Sequence, residues 1–190
     1  RFEAGLYGKD GSKLELTDED QVKGVLKELE GQEYIVDKLK KGEKKKSPPP
    51  PFITSTLQQE ASRKLGFSTK KTMLVAQQLY EGIEVKGVGA VGLVTYIRSD
   101  STRVSPEAQK DAAEFIRNRY GIDFLPEKPR VYKNKNASQD AHEAIRPTYV
   151  SMEPDSIKDS LNKDQYRLYK LIWDRFVASQ MASSVYDTVT

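Results

Sequence analysis

The 190 residues carry 31 Lys and Arg against 28 Asp and Glu, a formal charge of +3, with 37% hydrophobic and 31% charged content. These are the proportions of a soluble globular chain long enough to bury a core in one domain or one and a half, and no apolar run reaches the length of a membrane span. Cysteine is absent, so disulfides and thiolate zinc sites are excluded within these residues, and the small positive charge by itself points only weakly to nucleic acid.

Residues 1–16 alternate around Asp10-Gly11, a hairpin signal, with Phe2, Leu6, Leu14 and Leu16 expected to point inward. Thr17 is the expected N-cap of a helix, with Asp20 completing an approximate capping box and Val22, Val25, Leu26 and Leu29 at helical spacing. Gly31 ends that helix, and Tyr34-Ile35-Val36 with Leu39 suggest a further strand. Six lysines between Lys38 and Lys46 precede Pro48-Pro49-Pro50-Pro51, which reads as a solvated linker whose lysines could also meet phosphates.

From Ser55 or Thr56 a helix is expected with Leu57, Ala61 and Leu65 on one face, closed by Gly66. A second helix starts at Ser68, carries Met73, Ala76, Gln77 and Tyr80 near one face, and closes at Gly82. Joined by Gly-Phe-Ser, with Arg63, Lys64, Lys70 and Lys71 near the turn, the pair is a helix-turn-helix candidate, or simply two packed helices. Gly87-Val88-Gly89-Ala90-Val91-Gly92 fits G-x-G-x-x-G literally but leads into an expected strand rather than a helix, so a dinucleotide site is rejected. The glycines instead suggest a flexible lead-in.

Leu93, Val94 and Ile97 form the apolar run of a short buried strand that ends in Arg98-Ser99-Asp100-Ser101-Thr102-Arg103. Tyr96 and Arg98, two apart, would share a face. A free phenol is protonated at neutral pH, so one used as a nucleophile needs a cation or base beside it. An arginine fork that grips non-bridging phosphate oxygens supplies the cation. A tyrosine read alone would be an ordinary strand residue.

Beyond it, Ser105 caps a helix with Pro106 at its first position, and Ala108, Ala112, Phe115 and Ile116 form its buried stripe. Residues 122–139 read as a loop, within which Asn136-Ala137-Ser138 is a chance glycosylation match. In Ala141-His142-Glu143-Ala144-Ile145-Arg146-Pro147 the chain's one histidine stands before a glutamate, but a zinc H-E-x-x-H site is excluded because position 146 is arginine. Asn162 precedes a long helix with Tyr166, Tyr169, Ile172, Trp173, Phe176, Val177 and Met181 as its core stripe, and residues 184–190 alternate as a strand.

Three of these stretches resemble one family. Gly92 to Thr102, eleven consecutive residues, resembles the active-site tyrosine motif of the bacterial type IA DNA topoisomerases, G-L-(I/V)-T-Y-(M/I)-R-(T/S)-D-S-T. Pro51 to Gln59 resembles their P-F-(I/T)-T-S-T-L-Q-Q run, and Ala141 to Pro147 their A-H-E-A-I-R-P motif. Ile97 stands where the sister topoisomerases III usually carry proline, which favours the topoisomerase I branch.

The resemblance implies an α+β, multidomain fold: a mainly helical tyrosine domain over residues 55–182 with helix-turn-helix-like elements, and part of a β-rich hinge domain over 1–54 and 183–190. It implies Tyr96 as the nucleophile, Arg98 as the phosphate-gripping residue, and His142, Arg146, Arg103, Ser99, Asp100 and Thr102 as DNA-binding residues, Arg146 either supporting the site or binding the DNA backbone, with Glu143 more an orienting partner than a base. It also implies ATP-independent relaxation of negatively supercoiled DNA and a bacterial cytoplasmic, nucleoid-associated setting. The Mg²⁺ would be bound by an acidic module outside this chain, and the expected partners are single-stranded DNA and the remaining domains of the same enzyme. A fragment of this kind would be inactive alone. Two other readings stay open, the equivalent part of a reverse gyrase and a non-catalytic helix-turn-helix DNA-binding protein.

Overall fold

A computed structural model describes residues 3–132 and 142–190. The expectations for Phe2, for the end of the 122–139 loop with Asn136, and for Ala141 lie outside the described residues. The chain divides into two compact units, 1–42 with 189–190, and 43–188.

In the first unit the Asp10-Gly11 hairpin forms: β1 (Gly8–Lys9) and β2 (Ser12–Lys13) are antiparallel, with Gly8 opposite Lys13. Both turn residues have positive φ, 55° and 77°, the geometry that a two-residue hairpin with right-handed strand twist requires. Helix α1 (Glu19–Leu29) begins one residue later than expected. Asp18, not Thr17, is the N-cap and accepts from Gln21 N at 2.8 Å, while Thr17 N donates to Gln21 Oε1 at 3.0 Å. Asp20 has no part in the box. Leu6 and Leu14 are exposed, as are Val22, Leu26 and Leu29, so the inward positions expected here are not covered within this unit. The strand expected at Tyr34-Ile35-Val36 is also absent, because no neighbouring backbone offers it a ladder and its side chains stand in solvent.

The lysine-rich stretch corrects another expectation. Lys41–Lys46, expected as part of a solvated linker, is a strand, β3, paired with β6 (Ser184–Val189). Every β3 side chain is exposed, so the ribbon forms through its backbone while the ammonium groups stay in water.

The core of the second unit is helical. Helix α2 (Thr54–Leu65) and helix α3 (Thr69–Glu81) both pack on α5 (Lys163–Gln180), and α4 (Pro106–Arg119) closes on α5 from its own side. Gly66, left-handed at φ 69°, turns the chain from α2 to α3, and the next residue, Phe67, is buried. The α3 stripe is Thr72, Val75, Ala76 and Leu79, shifted by one position from the expected one. Met73 is only partly buried and Tyr80 is exposed, which frees Tyr80 for another surface. Helix α5 is capped by Asn162 and buries Leu168, Tyr169, Ile172, Trp173, Phe176 and Val177, whereas Tyr166 and Met181 lie at its margin. Trp173 Nε1 donates to Val150 O and Tyr169 Oη to Met152 O, so neither ring buries an unpaired polar atom.

The glycine run makes a hairpin, not a flexible lead-in. β4 (Ile83–Val85) and β5 (Gly89–Val91) pair antiparallel, with Gly87 and Gly89 at positive φ around the turn. Among the described residues no helix is long and apolar enough to cross a membrane.

Candidate active site

The segment carrying Tyr96 is extended but is not a strand of a sheet. Its one ladder contact is the isolated bridge of Val94 with Pro147. It is held instead by cross-bonds to two other segments. Leu93 N donates to Leu79 O at the end of α3, Thr95 N to Arg146 O, and Thr148 N returns to Leu93 O. Thr95 Oγ1 donates to Ala144 O at 2.8 Å, and Ala144 N donates to Arg103 O. On the other flank Thr54 Oγ1 donates to Ile97 O at 2.9 Å and accepts from Ser99 N at 2.9 Å, while Ile145 N donates to Phe52 O. Three sequence-distant segments, 52–54, 93–103 and 144–148, are thereby laced into one frame.

Within this frame burial alternates. Ile97, Ser99 and Ser101 are buried, while Tyr96, Arg98 and Asp100 are exposed. The expected pairing of Tyr96 and Arg98 on the outward side thus holds in its period of two, although no regular strand enforces it.

The Tyr96 ring, 42% exposed, sits between two other rings. His142 stacks on it with centroids 5.7 Å apart and planes at 29°, and Tyr80 meets it edge-on at 5.6 Å and 67°. Arg98 lines a shallow cavity of about 320 Å³ with Ile53, Thr54, Ser55, Ser99 and Asp100. Its guanidinium has no ion-pair partner among the described residues, so it is available to an incoming anion.

Arg146 is set differently. Its Nε and Nη2 both donate to Glu143 Oε2, at 3.0 and 2.6 Å, its Nη1 donates to Pro147 O, and its side chain is only 13% exposed. The arginine expected to touch DNA is therefore committed to holding its own loop. Burial pushes the Glu143 carboxyl upward, but the Arg146 guanidinium and hydrogen bonds from Ser105 outweigh it, and the group lies below the usual carboxylate range. What the structure gives Glu143 is this contact with the Arg146 side chain.

Of the remaining expected contacts, Ser99 is turned inward. At 5% exposure its hydroxyl donates to Glu143 O at 2.6 Å and accepts from Ser101 N at 3.2 Å. Thr102 is half-buried, whereas Asp100, Arg103 and His142 face solvent.

Sequence reasoning missed three residues of this site. The spacing of Tyr80 places it near one helix face with Met73 and Ala76 and carries no signal of the site. Thr54 and Thr95 are the hydroxyls that lace the frame. Both lie inside the quoted motifs, but only the fold shows them as mutual partners of distant carbonyls.

No group of three or more His, Asp or Glu side chains gathers among the described residues. Within the tyrosine and histidine motifs the acidic groups are the exposed Asp100 and Glu143, which Arg146 already neutralises. This donor set does not fit a divalent cation.

These features define an α+β protein whose helical unit presents a phenol, an imidazole and a guanidinium from one hydrogen-bonded frame. The particular family follows from comparison. Residues 2–190 match the family described as DNA topoisomerase, and the chain belongs to that family. A solved structure of full-length topoisomerase I from Thermotoga maritima is similar at 44% identity and a TM-score of 0.75, over 94% of this chain. The present chain spans 28% of that chain's length. The resemblance to the bacterial type IA enzymes and the α+β fold expected from the sequence are both borne out.

Proposed function

We propose that this chain is the tyrosine-bearing part of a type IA topoisomerase, in which Tyr96 cleaves and reseals one DNA strand. The observation that carries this reading is the half-exposed Tyr96 phenol, packed against His142 and borne on the same frame as the unpaired Arg98 guanidinium. In the reaction the Tyr96 oxygen forms a bond to phosphorus and the bond from phosphorus to the 3′-oxygen breaks. The phenol proton is lost and the departing 3′-oxygen gains one, leaving a 5′-phosphotyrosine. Attack by the 3′-hydroxyl reverses every step, so the phosphodiester energy is stored and ATP is not consumed. Arg98 holds the phosphate oxygens and stabilises the charge that builds on them. His142 stacks on the nucleophile and offers a ring nitrogen to a neighbouring phosphate.

Mg²⁺, needed in this reading, belongs to an acidic module outside these residues, and no step is assigned to it here. The isolated chain then binds single-stranded DNA without cutting it. Relaxation of supercoiled DNA needs the whole enzyme, whose tyrosine unit must swing aside for strand passage.

The reading of a purely reversible helix-turn-helix binder has less support, because the basic groups near the α2–α3 turn are partly spent. Arg63 and Lys64 pair with Glu60, and Lys71 with Asp164.

The test uses the full-length protein with Mg²⁺ and a single-stranded oligonucleotide, stopped in denaturant and mapped by peptide. DNA joined to the Tyr96 peptide, and lost in Tyr96→Phe, is the expected result. An adduct on another tyrosine would overturn the assignment, and tight binding with no adduct would restore the binding-module reading.

A further inference from the structure

We infer that Tyr80 is a positioning residue for the Tyr96 nucleophile, setting the ring's orientation from the end of helix α3. The inference rests on the proposed role of Tyr96 and deepens it.

Tyr80 is the penultimate residue of α3, and its ring meets Tyr96 edge to face at 5.6 Å. It remains 39% exposed although Leu79 just before it is fully buried, so it is not a core residue that happens to touch the site. Its hydroxyl has no partner among the described residues, so the contact it makes at the site is that of ring with ring. The electropositive edge of one ring against the face or flank of another favours a narrow range of angles. His142 occupies another side of Tyr96 in a stacked arrangement. Two rings from distant segments thus restrict rotation of the phenol about its side-chain bonds.

The backbone fixes the same relation. Leu93 N donates to Leu79 O at 2.7 Å, tying the tyrosine segment to the last turn of α3. At Gly92 a Cβ would lie 2.7 Å from Tyr80 O, so the two backbones approach as closely as they do only because that position is glycine. The end of α3 and the nucleophile are therefore registered to each other twice, once through backbone and once through rings. Holding a nucleophile near its attack geometry raises the rate of the chemical step rather than the affinity for substrate.

The experiment compares Tyr80→Leu, Tyr80→Met and Tyr80→Phe in the full-length enzyme with Mg²⁺. It reads single-turnover cleavage of a saturating single-stranded oligonucleotide, dissociation constants from fluorescence anisotropy, and folding from circular dichroism in urea. An edge-to-face contact of ordinary strength corresponds to a loss of about 3- to 10-fold in cleavage rate for Leu and Met. The dissociation constant should stay within about twofold of the parent, since positioning acts on the chemical step, and Tyr80→Phe should restore the rate. Unchanged cleavage in folded Leu and Met variants overturns the inference. Weakened DNA binding with an unchanged rate at saturation also overturns it, because Tyr80 would then be a DNA contact. A Tyr80→Phe variant as slow as Tyr80→Leu overturns the ring-edge argument. Tyr96→Phe, run alongside, separates the two levels: an adduct surviving in that variant defeats the nucleophile assignment itself, whatever Tyr80 does.

Discussion

Replacing Ser99 by alanine separates two roles for a residue inside the tyrosine motif. Its sequence setting suggests a DNA contact, but its hydroxyl bridges Glu143 O and Ser101 N within the frame at 5% exposure. The substitution removes one oxygen, creates almost no cavity, and takes one hydrogen bond each from the Glu143 carbonyl and the Ser101 amide. At ~1–3 kcal/mol for a buried polar group deprived of a hydrogen bond, the cost comes to about 1–3 kcal/mol. The single tryptophan, Trp173, is buried in the core of the same unit and reports its unfolding without interference from the first unit. Urea titration followed by Trp173 fluorescence should therefore show a lower midpoint at an unchanged slope. Because Ser99 bonds the Glu143 carbonyl next to His142, Ser99→Ala in the full-length enzyme should also slow adduct formation at Tyr96. A stability loss below about 0.5 kcal/mol, the scatter of ordinary surface substitutions, would refute the frame. Loss of oligonucleotide affinity at parental stability would return Ser99 to the DNA surface.

Glu143 gives a pH signature. Its folded pKa lies below the ordinary 4.5, so its contribution is complete above that value and is lost as pH falls through the lowered folded one. Glu143→Gln should flatten the acid limb of a Trp173-monitored stability profile, and an unaltered limb would contradict the ion pair. Gly92→Ala places a Cβ 2.7 Å from the Tyr80 carbonyl, and a backbone clash of this kind costs about 1–3 kcal/mol, read by the same urea titration. Arg98→Ala removes an exposed cation with no ion-pair partner among the described residues, so the midpoint should hold while the cleavage rate of the full-length enzyme falls by about 10²-fold, as when one charge-stabilising donor is lost.

The parts legible in the sequence were those set by local chemistry. Ser105-Pro106, Asn162, Gly66 and the Asp10-Gly11 turn each act through their own backbone or a partner three residues away, and each stands where it was expected. The misreadings share a different cause. Tyr34-Ile35-Val36 has strand propensity but no ladder, whereas Lys41–Lys46 lacks that propensity and gains a ladder from β6, nearly the whole chain away. Strand formation is decided by the partner, and no window of sequence contains it. The shifted α3 stripe has the same origin, since which side of the helix is buried depends on α2 and α5.

The two arginines of the site show what the motifs could not carry. Both stand beside chemistry-bearing residues, Arg98 two after Tyr96 and Arg146 four after His142, and spacing treats them alike. The fold divides them. Arg146 bonds Glu143 twice and the Pro147 carbonyl once, and its backbone N–H also meets Thr95 Oγ1, so it joins the loop to the tyrosine segment. Arg98 makes no such bond and opens onto the cavity at Ser55 and Asp100. A guanidinium already neutralised by a carboxylate must break that pair before gripping a phosphate, while a solvated one exchanges only water and counterions. The frame thus uses Arg146 to hold its shape and leaves Arg98 exposed at the cavity. That division explains how a segment without a sheet can still present a tyrosine in a fixed place.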